Sequence, residues 1–524
     1  MEMHMPNNPL EKLLSQQNPT NDHFITLVIS QGAALKIYPA SVNRTGNHSF
    51  FIARSDTAKN LYILSPDNES PPAPFQLEYI AADSPFAGFK LAECPMNHEN
   101  ALVLGELFDF CRPVLIGTEN SFGLGDRLGI ANPGQLRALA GTGIKAVLAQ
   151  QSIRELERTE RTPEDVMDAA VWAVFQEGFR DGFGSDADHL KTTADIDVMI
   201  RAGFTMFTFD PGDYVINDAE TFTSDELASK AASIRWDKLD DTFENFMRRY
   251  EDTAFTVTED FKLIPARDEI VRGIVKYGDV IIHTVRMHDY LKNNYPEHPA
   301  EIELSVDETD SPTTPFEHFL VAGELKRLGI PLVSLAPRFI GEFEKGIDYI
   351  GDLDAFRTEY IKHLKIAQLL GPYKISLHSG SDKFGVYRVI GTLSEGNYHV
   401  KTAGTSYLIA LQTIASADPV LFREILKFSR DHYDAEKVSY HVSADIKNVA
   451  PPEELSGSEL DGLFTQNDAR EVMHVTFGRV LTEKNAGGAS VFKDRIFSCL
   501  EENEEIHYDL LKHHFERHID PFFE

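Results

Sequence analysis

Cysteine is scarce in this chain: three in 524 residues, Cys94, Cys111 and Cys499, an odd and scattered set. Such a set builds neither a disulfide framework nor a CxxC zinc motif and suits a reducing cytoplasm. Long apolar runs are also missing. No stretch approaches the roughly 18 residues that a membrane-spanning helix needs. The opening MEMHMPNNPLEKLL has neither the basic segment nor the apolar core of a secretory signal. Positive charge is short as well, with 50 Lys and Arg against 82 Asp and Glu and a formal net charge of −32. Such a chain repels phosphate backbones and anionic membranes at long range, which argues against nucleic acid or a membrane as partner. An anionic small substrate would need a local pocket of Arg and Lys. What is present is an ordinary globular balance, 42% hydrophobic and 25% charged residues. The length has room for several domains, or for one elaborated α/β barrel with additions.

The chain divides by texture. Over residues 1–110 short apolar or alternating runs predict strands at Phe24–Ile29, Phe50–Ala53, Leu61–Ser65 and Phe75–Ile80, separated by turn-forming clusters such as PDNESPPAP. Over 111–418 strands and helices alternate. Strands are predicted at Ile144–Ala149, Phe204–Phe209, Ile302–Val306, Leu332–Leu335, Lys374–Leu377 and Tyr398–Lys401. Helices are predicted at Thr162–Gly178, Thr192–Ala202, Glu317–Leu328, Phe356–Leu370 and Tyr407–Ala415. This order implies a parallel sheet. Polar clusters sit just after several strands, the end where both a (β/α) barrel and an open doubly wound sheet place their sites, so the pattern leaves both architectures open. Residues 419–524 read as a mostly helical, acidic extension ending in an amphipathic helix near Leu500–His518.

Five polar clusters carry candidate chemistry. SFGLGDRLG, from Ser121, is a weak dinucleotide pattern, better read as a turn exposing Asp126 and Arg127. GSDADHLK, from Gly184, gathers Asp186, Asp188, His189 and Lys191, which suit a divalent metal or a general base, or simply an Asx turn capping the next helix. Asp307 and Glu308 end an apolar strand, and adjacent residues of a strand point to opposite faces. SLHSGSDKF, from Ser376, offers His378, Ser379, Ser381, Asp382 and Lys383. HVKTAGTS, from His399, puts His399 and Lys401 on one strand face ahead of a helix start. His514 and His518 do not complete HExxH and are expected on a solvated helical face. The run Glu501–Glu505 is expected to be solvated surface, and His283 and His288 structural.

Long ordered stretches of this kind are distinctive: SFGLGDRLGIANPGQL from Ser121, DADHLKTTADID from Asp186, FTFDPGDYV from Phe207 and SVDETDSPTTPFEH from Ser305. They continue with SLAPRFIGEFEKGIDYIGDL from Ser334, YKISLHSGSDKF from Tyr373 and HVKTAGTSYL from His399. In sequence and order they resemble the tagaturonate epimerase family, over roughly residues 110 to 410. The resemblance implies a metal-dependent epimerase on a TIM-barrel-like domain that interconverts D-tagaturonate and D-fructuronate in hexuronate catabolism. Some family members also act on fructose and tagatose.

The resemblance supports these segments; within them the residue types lead us to expect His189, His378 and His399 as metal ligands, and Asp188 and Glu308 as an acid–base pair with Asp307 as the alternative. A His-rich site of this kind accepts Zn, Mn, Co or Ni. Substrate contacts are expected from Asp126, Arg127, Lys191, Asp307, Arg338, Lys345, Ser379, Asp382, Lys383 and Lys401. The partner is a small ketohexuronate or ketohexose; oligomeric state is left open. The other readings are a metal-dependent aldolase and a sugar-acid-binding protein without turnover. Numbered from the carboxylate, the ketone is C5 and the inverted carbon C3. Because C3 is β to the carbonyl, simple enolisation inverts the wrong centre. Retro-aldol cleavage of C3–C4 and re-addition, or direct proton removal at C3, remain.

Overall fold

In the computed structural model, residues 10, 24–30, 33–56, 58–80, 86–393 and 397–523 are described. The opening segment, Leu10 apart, lies outside them, and so does the reading of it as lacking a signal. The first region is a seven-stranded antiparallel sheet of β1 (Ile25–Ser30), β2 (Ala33–Ile37), β3 (Asn43–Thr45), β4 (His48–Arg54), β5 (Lys59–Pro66), β6 (Glu78–Tyr79) and β7 (Phe89–Cys94). The strand expected at Phe75–Ile80 shrinks to the two residues of β6, because the Pro-rich stretch before it lacks the backbone donors a ladder needs. Three strands went unread: β2, β3 and β7. A helix at His98–Leu107, capped by Asn97, leads out of the sheet.

The centre is a closed parallel barrel of eight strands, which decides between the two architectures. Its members are β8 (Ser121–Gly123), β9 (Lys145–Ser152), β10 (Phe183–Leu190), β11 (Met206–Phe209), β14 (Glu301–Val306), β15 (Leu332–Pro337), β16 (Lys374–Leu377) and β17 (Tyr398–Lys401); β17 pairs with β8 to close the ring. A small hairpin, β12 (Phe255–Thr256) and β13 (Lys262–Leu263), interrupts the alternation. Helix boundaries follow local chemistry. Thr162 caps Pro163–Glu177 in a capping box with Asp165, and Gly178 ends the helix at φ 59°. Thr314 and Glu317 do the same for Pro315–Arg327.

The barrel's first and third strands were not legible as strands. β8 is only three residues long and looks like a glycine turn. β10, FGSDADHL, is too polar for a buried strand by hydropathy, yet seven of its eight residues are buried. Its carboxylates point into the barrel, where a lysine from β17 meets them.

The C-terminal region, helical as expected, packs on the barrel through two surfaces. Leu408, Leu411, Phe422, Ile425, Val472, Phe477 and Leu500 form one apolar cluster. Tyr508, Leu511 and Phe515 of the last helix, Glu504–Ile519, join the main core shared by barrel and N-terminal sheet. Two expectations fail here. His514 and His518 are buried rather than solvated, and so is Glu504 of the acidic run. Glu504 accepts from Tyr38 and Lys59 of the N-terminal region and from Tyr508, so that it joins the two ends of the chain. Among the described residues no helix is long and apolar enough to cross a membrane.

Candidate active site

The site lies at the C-terminal ends of the barrel strands. β10 delivers Asp188 and His189, β14 Asp307 and Glu308, β16 His378 and Ser379, and β17 Lys401. On a regular strand Asp188 and His189 would face opposite ways. Instead the β10–β11 register shifts between Ala187 and Leu190, and His189 takes a left-handed backbone at φ 53°. That break turns the imidazole toward the mouth, an arrangement that costs about 1–3 kcal/mol and must be held by its surroundings.

His189, Asp307 and His378 offer ligand atoms all within 4.8 Å of one another. The orientation of each ring follows from its other nitrogen. His378 Nε2 is 2.6 Å from Glu303 Oε1, and a carboxylate only accepts, so Nε2 carries the hydrogen and Nδ1 faces Asp307 at 3.3 Å. His189 Nδ1 likewise donates to Asp210 Oδ2 at 3.2 Å, which leaves Nε2 toward the mouth. Imidazoles held by carboxylates behind and an aspartate in front are the second-shell pattern of metal-binding histidines. The electrostatics agree. Burial alone would lower the His189 pKa, but Asp188, Asp210 and Asp307 push it up to about 10. Burial would raise Asp307, but His378 and His189 hold it far below the carboxylate range. The site favours a cation.

His399, expected as the third imidazole ligand, does not join this group. It sits one inward position deeper on β17, fully buried, with Nδ1 2.9 Å from Ser121 Oγ, and Lys374 donates to the same hydroxyl at 3.1 Å. Asp307 stands where the third ligand was expected.

Below the histidines Lys401 reaches across the barrel. Its Nζ lies 2.7 Å from Asp186, 2.7 Å from Asp188 and 2.8 Å from Glu303, and donates to Thr208. Burial raises Asp186 to about 6, whereas Lys401 and the two histidines overcome burial at Asp188 and keep it ionised. Three carboxylates thus surround the Lys401 ammonium, which also lines the inner cavity.

The remaining expected contacts divide sharply. A cavity of about 50 Å³ is lined by Arg127, Asp188, His189, Lys345, His378, Ser379 and Lys401, among others. An outer one of about 310 Å³ is lined by Asp307, Glu308, Arg338, Lys345, His378 and Ser379, among others. Asp126, Lys191, Asp382 and Lys383 line neither. Asp126 accepts from the backbone of Leu128, Gly129 and Ala131 and shapes its own loop. Lys191 pairs with Asp213 at the surface. Asp382 turns away to Arg470, and Lys383 donates to the carbonyls of Glu344, Ile347 and Ser381.

The sequence reading passes over the carboxylates behind the histidines and several residues that line the cavities. Glu303 and Asp210 carried a signal: Glu301, Glu303 and Ser305 alternate along an otherwise apolar strand, and Asp210 ends another. Arg154 carried none, since it reads as ordinary helix surface. Nor did His474, Tyr440 and His441, which the C-terminal region folds over the two cavities. His474 rests on Gly404 so closely that a Cβ there would come within 1.9 Å of its Nε2.

An eight-stranded parallel barrel whose mouth gathers imidazoles and carboxylates, roofed by an added helical region, defines the class: an enzyme of barrel type. Known proteins then specify it. The family model for tagaturonate epimerase matches residues 38–522, and the chain belongs to that family. It is an isomerase, a carbohydrate epimerase. It is 40% identical to a tagaturonate/fructuronate epimerase of Thermotoga maritima over 95% of this chain and 98% of that protein. The glycerol-complexed crystal structure of a fructuronate–tagaturonate epimerase from Cohnella laeviribosi superposes with TM-score 0.85 at 34% identity, covering 98% of both chains. The native structure of the Cohnella enzyme gives 0.84 at 35%, covering 93% of this chain and 96% of that one.

Proposed function

We propose that this chain interconverts D-tagaturonate and D-fructuronate by inverting C3, with a divalent metal held by His189, His378 and Asp307. The observation that carries the reading is the convergence of those three donors, each histidine backed by a carboxylate, in a chain of this family. Zn, Mn, Co or Ni suits two imidazoles and a carboxylate. When bound, such an ion supplies Lewis acidity toward the oxygens of the ketone and its neighbouring hydroxyl.

The protein's own groups manage the protons. Asp188, kept ionised beside Lys401, lines the inner cavity, and Glu308, half exposed and 3.8 Å from Arg154, lines the outer one. Both cavities include His378, so the two carboxylates address a substrate there from two sides. In the retro-aldol route one carboxylate takes the C3 hydroxyl proton. The C3–C4 bond then breaks, its electrons pass to C4 and the ketone oxygen, and C3 becomes an aldehyde. The aldehyde rotates, the C3–C4 bond reforms on its other face, and the proton returns to the new alkoxide. Residues roofing the site keep the two fragments from leaving, which separates an epimerase from an aldolase. A resonance-stabilised enediolate favours this route over a carbanion at C3, which has no adjacent carbonyl.

The test is turnover in heavy water with the metal-stripped protein, with single metals added back. Activity that returns with Mn, Co, Ni or Zn, and product without deuterium at C3, is the expected outcome. Full activity of a verified metal-free sample, or stoichiometric deuterium at C3 in the first turnover, overturns the metal reading or the route respectively.

A further inference from the structure

A substrate carboxylate entering a protein of net charge −32 needs cations that are not already neutralised. Two of those near the site are. Arg127 is paired with Glu155 at 3.0 Å and lies over the Phe477 ring. Lys401 is ringed by three carboxylates. Lys383 and Arg338 are set aside by position instead: Lys383 is capped by backbone carbonyls and lines neither cavity, and Arg338 reaches the outer cavity alone, where it donates to the Thr309 carbonyl.

Lys345 and Arg154 differ. Both line the inner and the outer cavity. Lys345 Nζ donates to Ser379 Oγ at 2.6 Å, and among the described residues no carboxylate lies within 4.0 Å of it. Arg154 lies beside the Tyr440 ring, and its nearest carboxylate, Glu308, is 3.8 Å away, beyond hydrogen-bonding distance. We propose that Lys345 and Arg154 form the subsite that binds the substrate's carboxylate and so sets the preference for a uronate over a neutral ketohexose.

Two further observations support it. Burial lowers the Lys345 pKa, Glu308 acts against that and Arg154 adds to it, so burial of the ammonium is the dominant cost. An anion against Nζ offsets that cost. Ser379, to which Lys345 is tied, follows the ligand candidate His378 and takes a left-handed backbone at φ 50°. The subsite is therefore fixed to the reacting end of the site by one peptide link. Arg154 offers a planar fork of donors and Lys345 a point charge, a pair suited to a carboxylate. The inference rests on the epimerase reading for its substrate, and its test is chosen to stand apart from turnover.

Binding of D-tagaturonate and of D-tagatose, which has CH₂OH where the acid has its carboxylate, is measured by calorimetry on the Mn-supplied full-length protein. Wild type, Lys345→Met, Arg154→Met and Lys345→Arg are compared, with circular dichroism and metal content measured for each. Losing one charged hydrogen bond should raise the Kd for tagaturonate about 10- to 100-fold in either Met variant. Tagatose binding should change by less than about threefold, and Lys345→Arg should keep most of the uronate affinity. An unchanged uronate Kd in both Met variants, an equal loss for both sugars, or no uronate binding to wild type overturns the subsite. Failure of wild type to epimerise a uronate that it binds overturns the function reading instead, and leaves the ratio of Kd values to judge the subsite.

Discussion

Among the described residues two clusters, one partly and one fully buried, carry nearly the same donors, and they do opposite things. At the barrel mouth stand His189, Asp307 and His378; under the last helix stand Asp382, His514 and His518. At the mouth each histidine gives a hydrogen to a carboxylate behind it and turns its other nitrogen toward Asp307 and the shared space. Under the helix the donors are already used. Asp382 pairs with Arg470 at 2.5 Å. Its backbone N–H donates to His518 Nε2, His518 Nδ1–H donates to the His514 carbonyl, and His514 Nε2 meets Thr405 Oγ1. Burial pushes His514 down to about 3, which leaves it neutral, whereas His189 is pushed up to about 10. Residue type therefore does not make a cation site. The sign and number of the neighbours do: the first cluster has excess carboxylate, the second an arginine and satisfied lone pairs. The second cluster is a latch that ties the C-terminal helix to the barrel.

Four measurements break or sharpen this contrast. The largest effect is expected from His378→Ala, which should lose bound metal and cut turnover by about 10³-fold or more, because it removes a ligand outright. Metal content by emission spectroscopy alongside kinetics checks it; retained stoichiometric metal contradicts the ligand set. Next, Glu303→Gln and Asp210→Asn leave the ligands in place but loosen their orientation, and should weaken metal affinity about 10- to 100-fold. Competition with a chelator reads this, and an unchanged affinity removes the supporting role.

The other cluster should respond in stability alone. Asp382→Asn leaves Arg470 without its partner and should cost about 3–5 kcal/mol while metal content stays full. Denaturant unfolding and metal analysis of the same sample decide it, and metal loss would show the two clusters to be coupled.

The smallest effect is in the roof. Glu344 and Glu471 meet over the backbone of Ser443 and Ala444, and burial, with Glu344 beside it, raises Glu471 from 4.5 to about 8. A raised folded-state pKa stabilises fully below the unfolded value and is lost as pH rises through the folded one. Stability should therefore fall between pH 4.5 and about 8 through this group. Glu471→Gln should flatten that slope; an unchanged slope in urea titrations across this range rules the pair out.

The sequence by itself determined the β-α alternation, most helix ends and the segments that meet at the mouth. Capping boxes, Gly stops and apolar strands are local features, and Lys374–Leu377 and Tyr398–Lys401 coincide with β16 and β17 residue for residue. It also brought Asp307, Glu308 and His378 into consideration, because polar residues that end apolar strands stand out from their neighbours, and Asp188 and His189 because they fall in a dense cluster of carboxylates and imidazole. Tertiary structure alone decided which of these converge. β10 is hidden in the sequence because its charges are balanced by Lys401, more than 200 residues away. His399 and His378 look equivalent on paper, and one strand's stagger in the barrel sets His399 a layer too deep. His514 and Glu504 look like helix surface until the N-terminal sheet and the barrel close over them. In each case the deciding neighbour is distant in the chain, and periodicity reports a residue's own face but not the charge that will stand opposite it.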